Sequence, residues 1–158
     1  MMESLVQRYP DLLFESCSGG GGRFESGMLY YSPQIWCSDN TDAIDRLKIQ
    51  YGTSFGYPIS AMGAHVSVCP NHQSGRTTPF ETRGIVASAG TFGYELDLMK
   101  MSEEEKKTAR EQILNICRIR RSSLNFKSVC PGFFSDHFSD NLGISFFDNA
   151  NTIVIISS

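Results

Sequence analysis

Residues 34–52, Gln-Ile-Trp-Cys-Ser-Asp-Asn-Thr-Asp-Ala-Ile-Asp-Arg-Leu-Lys-Ile-Gln-Tyr-Gly, constrain the fold more than any other stretch. Gln34-Ile35-Trp36 is bulky and apolar enough for a short strand. Asn40 or Thr41 can cap a helix, Ile44, Leu47 and Tyr51 recur at helical spacing, and Gly52 can end it. A strand that feeds a helix at once puts Asp39 at the strand's carboxyl end, the position where α/β barrels hold their chemistry. A carboxylate in partly dry surroundings there suits acid–base work. Without further support, an Asp just before a helix is more often a cap.

The rest of the chain repeats this alternation. Residues 2–9 read as the end of a helix stopped before Pro10. Residues 12–16 read as a strand with the glycine run 19–22 directly after it, residues 58–62 as a third strand and residues 91–96 as a fourth. Strands separated by helical stretches imply parallel pairing with right-handed crossovers. Ser102-Glu103-Glu104-Glu105 has the pattern of a capping box, and Ala109, Ile113, Ile116 and Arg120 continue at helical spacing. After residue 122 the pattern changes. Residues 126–138 have no clear period, and residues 143–147 and 152–156 flank Asp148-Asn149-Ala150-Asn151 as a β-hairpin.

The glycine run lacks the lysine of a phosphate loop and a later acidic ribose partner, so close approach of backbone to a ligand is the better reading. Trp36 is either core or an aromatic platform for a sugar's CH face. Cys17, at a strand end, has no neighbouring motif that would lower its pKa, and a polarisable wall is preferred to a redox role. Asp42 and Asp45, one helical turn apart, are read as structural, as are Arg76 and Arg83. His65 falls close to the candidate site, whereas His72 with Asn71 is read as fixing a loop.

An ordered set of motifs resembles family 36 retaining α-galactosidases. It comprises Glu15-Ser16-Cys17-Ser18-Gly19-Gly20-Gly21-Gly22-Arg23-Phe24, Gly27-Met28-Leu29-Tyr30-Tyr31 and the block above. Tyr57-Pro58-Ile59-Ser60, Met62-Gly63-Ala64-His65-Val66-Ser67, Pro70-Asn71-His72-Gln73 and Gly90-Thr91-Phe92-Gly93-Tyr94-Glu95-Leu96-Asp97-Leu98 follow in order. The resemblance implies that Asp39 is the general acid/base. It implies that Cys17 and Gly20, with Ser18, contact galactose, and the sugar-platform reading of Trp36 joins them. The family's nucleophile is an aspartate in a Lys-Trp-Asp motif on an earlier strand, and these 158 residues contain no such motif. The implied fold class is α/β: a partial (β/α)8 TIM barrel comprising the last strands (residues 1–121), then a linker and the first strands of a C-terminal β-sheet domain (122–158). The implied function is release of terminal α-galactose from raffinose- or melibiose-type galactosides, without a cofactor, by a chain that is inactive alone. The alternative is a non-catalytic remnant that binds a sugar or a partner protein, or a piece that does not fold by itself.

Composition agrees with these expectations. The chain suits one domain, but a complete barrel needs about 250 residues. A formal charge of −3 with interspersed signs leaves no footprint for nucleic acid or an anionic membrane. Arg118, Arg120 and Arg121 follow a helix whose carboxyl end favours cations. Five cysteines without a Cys-x-x-Cys pair give neither a zinc site nor a disulfide framework, so reduced thiols are expected. Met1-Met2-Glu3-Ser4-Leu5 does not read as a signal peptide, and no apolar run approaches the roughly 20 residues of a membrane span. A cytoplasmic protein is expected, and the resemblance allows a homo-oligomer at full length.

Overall fold

The computed structural model describes residues 1–12, 14–17 and 24–123, without the side chains of 120–123. The elements are α1 (Met2–Arg8), β1 (Glu15–Ser16), α2 (Ser26–Leu29), β2 (Gln34–Trp36), α3 (Ala43–Ser54), β3 (Met62–Ser67), α4 (Phe80–Ala87), β4 (Thr91–Glu95) and α5 (Glu103–Ser123). Short 3-10 turns at Ile59–Ala61 and Leu98–Lys100 join them. The expected hairpin and the rest of the expected β-domain segment lie outside the described residues, apart from the end of α5.

The four strands form one parallel sheet in the order β1-β2-β3-β4. Each strand pairs with its sequence neighbour, and the order never reverses. A doubly wound sheet reverses its strand order at a switch point, and none occurs among the four described strands. All four strands therefore end at the same carboxyl edge.

One face of the sheet is covered. Ala64 and Val66 on β3 and Phe92 and Tyr94 on β4 pack with Phe80 and Ala87 of α4 and with Ala109 and Ile116 of α5. Phe92 and Val66 are fully enclosed, at 2% and 0% exposure. Because side chains alternate along a strand, Gly63, His65 and Ser67 occupy the other face. α5 is docked by a polar joint as well. The Tyr94 hydroxyl lies 3.1 Å from the Ala109 carbonyl and 2.8 Å from Gln112 Oε1. Gln112 Nε2 donates to the Phe80 carbonyl at 3.3 Å. Burial pushes the Tyr94 phenol well above its ordinary pKa, so it stays a neutral donor. The capping box forms as expected: Glu105 N donates to Ser102 Oγ at 3.1 Å, and Ser102 N to Glu105 Oε2 at 3.0 Å.

Several local expectations need correction. Of the described residues in the strand expected over 12–16, Glu15–Ser16 are in the sheet and Leu12 and Phe14 are not. The segment 58–62 is a turn rather than a strand until its last residue. Pro58 sits at φ −65°, its carbonyl accepts from Ala61 N at 3.0 Å, and the ladder begins only at Met62. α3 is capped by Asp42, not by Asn40 or Thr41, and it runs through Gly52 to Ser54. The apolar series is not its buried face: Ile44, Leu47 and Tyr51 are 38%, 52% and 68% exposed. Ala43, Arg46 and Gln50, at i, i+3 and i+7, are the residues turned inward. Ala43 allows close approach, while Arg46 and Gln50 find buried carbonyls, with Gln50 Nε2 donating to Val86 O at 3.0 Å. Buried polar groups are tolerated where they are hydrogen-bonded in this way.

Tyr94→Phe removes the shared donor at the sheet–α5 joint and leaves buried acceptors unmet. We expect a loss of about 1–2 kcal/mol, read as a lower urea midpoint at unchanged m value.

Candidate active site

The six residues 37–42 carry the chain from β2 into α3, and their backbone polar groups have no ladder to join. Within the loop, Asn40 N donates to Ser38 Oγ at 3.1 Å and Asp42 N to Asn40 Oδ1 at 3.0 Å, and side chains from three directions reach other groups. From α3, Arg46 donates through Nε to Asn40 O at 2.7 Å, through Nη1 to Gly63 O and Cys37 Sγ at 3.1 Å each, and through Nη2 to Ser38 O. From β3, Ser67 Oγ donates to Thr41 O at 2.9 Å. From the loop after β3, Gln73 Oε1 accepts from Thr41 N at 3.2 Å, and Asn71 Nδ2 donates to Thr41 Oγ1 at 3.0 Å. That loop is itself fixed by Asn71, whose Oδ1 accepts from Gln73 N and Ser74 N at 3.0 Å each. It closes at Gly75, where φ is +69°, a value that glycine adopts without a Cβ clash.

Asp42 completes the frame. It is 1% exposed, and its Oδ1 accepts from Ile44 N and Asp45 N at 3.0 Å each as the helix N-cap. Ser74 Oγ donates to its other oxygen at 2.6 Å, and Arg76 forms an ion pair with it and with Asp45. Burial raises the Asp42 carboxyl, but the Ser74 hydroxyl, the two amides and the Arg76 charge outweigh it and hold the group below its ordinary value. Asp42, Asp45 and Arg76 are thus structural, in line with the sequence reading. Arg83 is structural too: Nε donates to Thr78 O at 3.1 Å, Nη1 to Ser67 O, and Nη2 lies 3.7 Å from Glu105.

Asp39 is the exception in this loop. It is exposed at the carboxyl edge of the sheet, and no hydrogen bond or ion pair to its carboxylate occurs among the described residues. Its backbone is fastened on either side while its side chain is left open. Cys17, also exposed, follows β1 at the same edge, one strand over, because Ser16 is in register with Ile35. Ser18 and Gly20 lie outside the described residues. Trp36 is half-buried, with its ring 4.3 Å from the Arg46 guanidinium carbon and 4.6 Å from the His65 ring. It lies over Gly63, where a Cβ would come within 2.9 Å of Trp36 Cε3 and 3.1 Å of Glu15 Oε1. Glycine at 63 is what lets the ring settle onto the sheet.

Two features escaped the sequence reading. One is Arg46, 4% exposed and at the centre of the loop's hydrogen bonds. Burial lowers its pKa from the ordinary value, opposed by interactions with Cys37, Glu95 and Asp39, and it remains a cation at neutral pH. The same burial pushes the Cys37 thiol up, with Arg46 opposing it. The other is the pair His65–Glu95, whose Nδ1 and Oε2 are 3.8 Å apart. His65 holds the Glu95 carboxyl below its ordinary range against the effect of burial, and Arg46 and His72 add positive charge. His65 Nε2 is buried without a hydrogen-bond partner among the described residues. No three His, Cys, Asp or Glu side chains among those residues cluster closely enough to share a metal ion.

Asp42→Ala removes a cap and a buried ion-pair partner. We expect a loss of at least about 1–2 kcal/mol at pH 7. Because the folded carboxyl titrates below its unfolded value of about 3.9, its contribution is full above that pH and fades as the pH falls through the depressed folded value. Urea unfolding of both proteins from pH 7 to pH 3 should therefore show their stability gap narrowing at the acid end.

Comparison with known proteins fits this geometry. The Melibiase family model matches residues 1–125. The bifunctional α-galactosidase/sucrose kinase AgaSK of Mediterraneibacter gnavus is 73% identical over 112 residues, covering 71% of this chain and 12% of that protein. α-Galactosidase AgaA of Geobacillus stearothermophilus is 61% identical over 121 residues, 77% of this chain and 17% of the relative. Among solved structures, the galactosidase domain of AgaSK superposes with a TM-score of 0.74 at 69% identity, covering 75% of this chain and 17% of that one. A variant of the GH36 α-galactosidase AgaA, solved in complex with raffinose, also gives 0.74 at 61% identity, with 76% and 17% covered. This chain thus spans under a fifth of the length of these relatives. With the family model matched over most of its length and a parallel α/β sheet like that of its structural neighbours, the chain belongs to the Melibiase (GH36) family.

Proposed function

We propose that these residues supply the acid/base half of a retaining α-galactosidase site, with Asp39 as the proton donor. The observation that carries this reading is the contrast at 37–42: a backbone held from three directions, and one carboxylate left open at the carboxyl edge of a parallel sheet. The naming of relatives as α-galactosidases supports the reaction class, and the raffinose complex of AgaA supports an α-galactoside as substrate. The strands form an arc of a (β/α)8 barrel whose other strands are not among these residues. Residues 1–121 belong to that barrel, and 122–158 lead into a β-sheet domain.

In the glycosylation step, the Asp39 carboxyl gives its proton to the glycosidic oxygen as the bond from that oxygen to the anomeric carbon breaks. The electron pair leaves with the departing sugar, and a second carboxylate forms the new bond to the anomeric carbon. Asp39, now a carboxylate, then takes a proton from water, whose oxygen displaces that second group and restores both carboxyls. Retention needs the two carboxyl groups about 5–5.5 Å apart. Asp42, capping a helix and paired with Arg76, is already committed. The family resemblance puts the nucleophile in a Lys-Trp-Asp motif that these residues lack, so it comes from elsewhere in the protein, and this chain alone should not turn over substrate. Cys17, Ser18, Gly20 and Trp36 line the galactose side, the glycines admitting the ring close to backbone. No cofactor takes part. The chemistry places no demand on an oxidising compartment, and a cytoplasmic protein is the matching proposal. No helix among the described residues is long and apolar enough to cross a membrane.

A chimera tests the reading: residues 1–121 replace the matching stretch of Geobacillus AgaA. We expect the chimera to hydrolyse raffinose, and Asp39→Ala to cut kcat/KM by about 10²–10⁴-fold. The loss should be far smaller for an aryl galactoside whose phenol departs without a proton. Equal losses on both substrates would contradict the assignment.

A further inference from the structure

Arg46 is an unusual residue to find where it is. It lies on the inward face of α3, 4% exposed, and no carboxylate within ion-pair distance neutralises it among the described residues. Burying an arginine without a paired carboxylate is unfavourable unless hydrogen bonds compensate. Its donors are spent on one small region: the carbonyls of Ser38 and Asn40, the sulfur of Cys37, and the carbonyl of Gly63 on the adjacent strand. Ser38 and Asn40 are the residues on either side of Asp39. A neutral side chain of similar length could satisfy two of these acceptors. The planar fork reaches all four and adds a charge that is felt by Asp39 and Glu95.

The same guanidinium sits against Trp36, with its carbon 4.3 Å from the ring centroid, at stacking distance. Trp36 is in turn seated on Gly63 and against His65. One side chain therefore fixes two things at once: the backbone that bears the open carboxylate, and the aromatic ring at the end of the same strand. Resting on the reading of Asp39 as proton donor, we propose that Arg46 is the positioning residue of that donor. Its guanidinium holds the peptides flanking Asp39 so that the carboxyl meets the departing oxygen, while Arg46 itself does not touch substrate.

This role differs from plain structural support in what it predicts. A structural arginine lost from the core lowers the amount of folded enzyme and reduces turnover of every substrate alike. In the first step, which kcat/KM reports, a positioning arginine matters only as far as the departing oxygen needs the proton. In the AgaA chimera, Arg46→Met and Arg46→Lys are each compared on raffinose and on an aryl galactoside with an acidic phenol. Active enzyme is counted by titration with a covalent galactosyl inactivator, so any loss of folded protein cancels. We expect Arg46→Met to lower kcat/KM for raffinose by about 10–100-fold and kcat/KM for the aryl substrate by less than about threefold, since kcat/KM reports the first step, in which only the raffinose oxygen needs the proton. Arg46→Lys, which keeps the charge but not the fork, should fall between Arg46→Met and the parent. Equal losses on the two substrates, or no titratable enzyme from either variant, would overturn the proposal and leave Arg46 as a structural residue. Asp39→Ala, measured alongside, separates the two ideas. If it shows the raffinose-selective loss and the Arg46 variants do not, only the present proposal fails. If Asp39→Ala itself shows no selectivity, the assignment of Asp39 fails first.

Discussion

A chain leaving a parallel sheet for a helix must satisfy its own backbone on the way, and here six residues do so with borrowed side chains. The Asp42 carbonyl accepts the first helical bond from Arg46 N, and the Asn40 and Asp42 amides donate to Ser38 Oγ and Asn40 Oδ1 within the loop. The Ser38, Asn40 and Thr41 carbonyls and the Thr41 amide need partners from outside it, because unmet polar groups at a half-buried edge are costly. Arg46, Ser67, Asn71 and Gln73 answer from α3, β3 and the loop beyond it. Asp42 caps the helix that follows and ties in Ser74 and Arg76. The loop is thereby cross-linked to α3, β3 and the loop beyond β3, while the Asp39 carboxylate has no hydrogen bond or ion pair among the described residues. Rigid backbone with an uncommitted carboxylate is the arrangement that general acid catalysis requires, because proton transfer depends on reach and direction before it depends on pKa.

The architecture explains where that carboxylate sits. Sequential parallel pairing carries all four strand ends to one edge, so Cys17, Asp39 and the residues around Glu95 meet there although they are far apart in sequence. The opposite sheet face is committed to α4 and α5 through Phe92, Tyr94 and their partners. The packed core and the open carboxylate thus lie on different parts of the sheet. At Gly63, a side chain would collide with Trp36 and Glu15 on the face away from the helices.

What could be read from the sequence was whatever is encoded locally. Strand β2, the position of Asp39 and the Ser102–Glu105 capping box each depend on residues within a few positions of one another. The inward face of α3 was not legible by the same means. Ile44, Leu47 and Tyr51 make the regular apolar series, yet the helix turns Ala43, Arg46 and Gln50 inward, because their partners are Gly63 O and Val86 O, 17 and 36 residues downstream. Apolar periodicity ranks a buried arginine last, whereas a small–polar–polar series at i, i+3, i+7 was the available clue. The strand misplaced over 58–62 has a simpler cause: Pro58 fixes its own φ and accepts a turn hydrogen bond before any ladder can start. Asp42 was rightly read as structural, though Asn40 and Thr41 look equally good caps until Asn71 and Asp45 are seen to engage them.

The most direct measurement is a crystal structure of the AgaA chimera holding an unhydrolysed α-galactoside. The account predicts an Asp39 carboxyl oxygen within about 3 Å of the glycosidic oxygen, with the loop backbone where it now lies. An Asp39 side chain turned away from the sugar, with another acid on that oxygen, would contradict it.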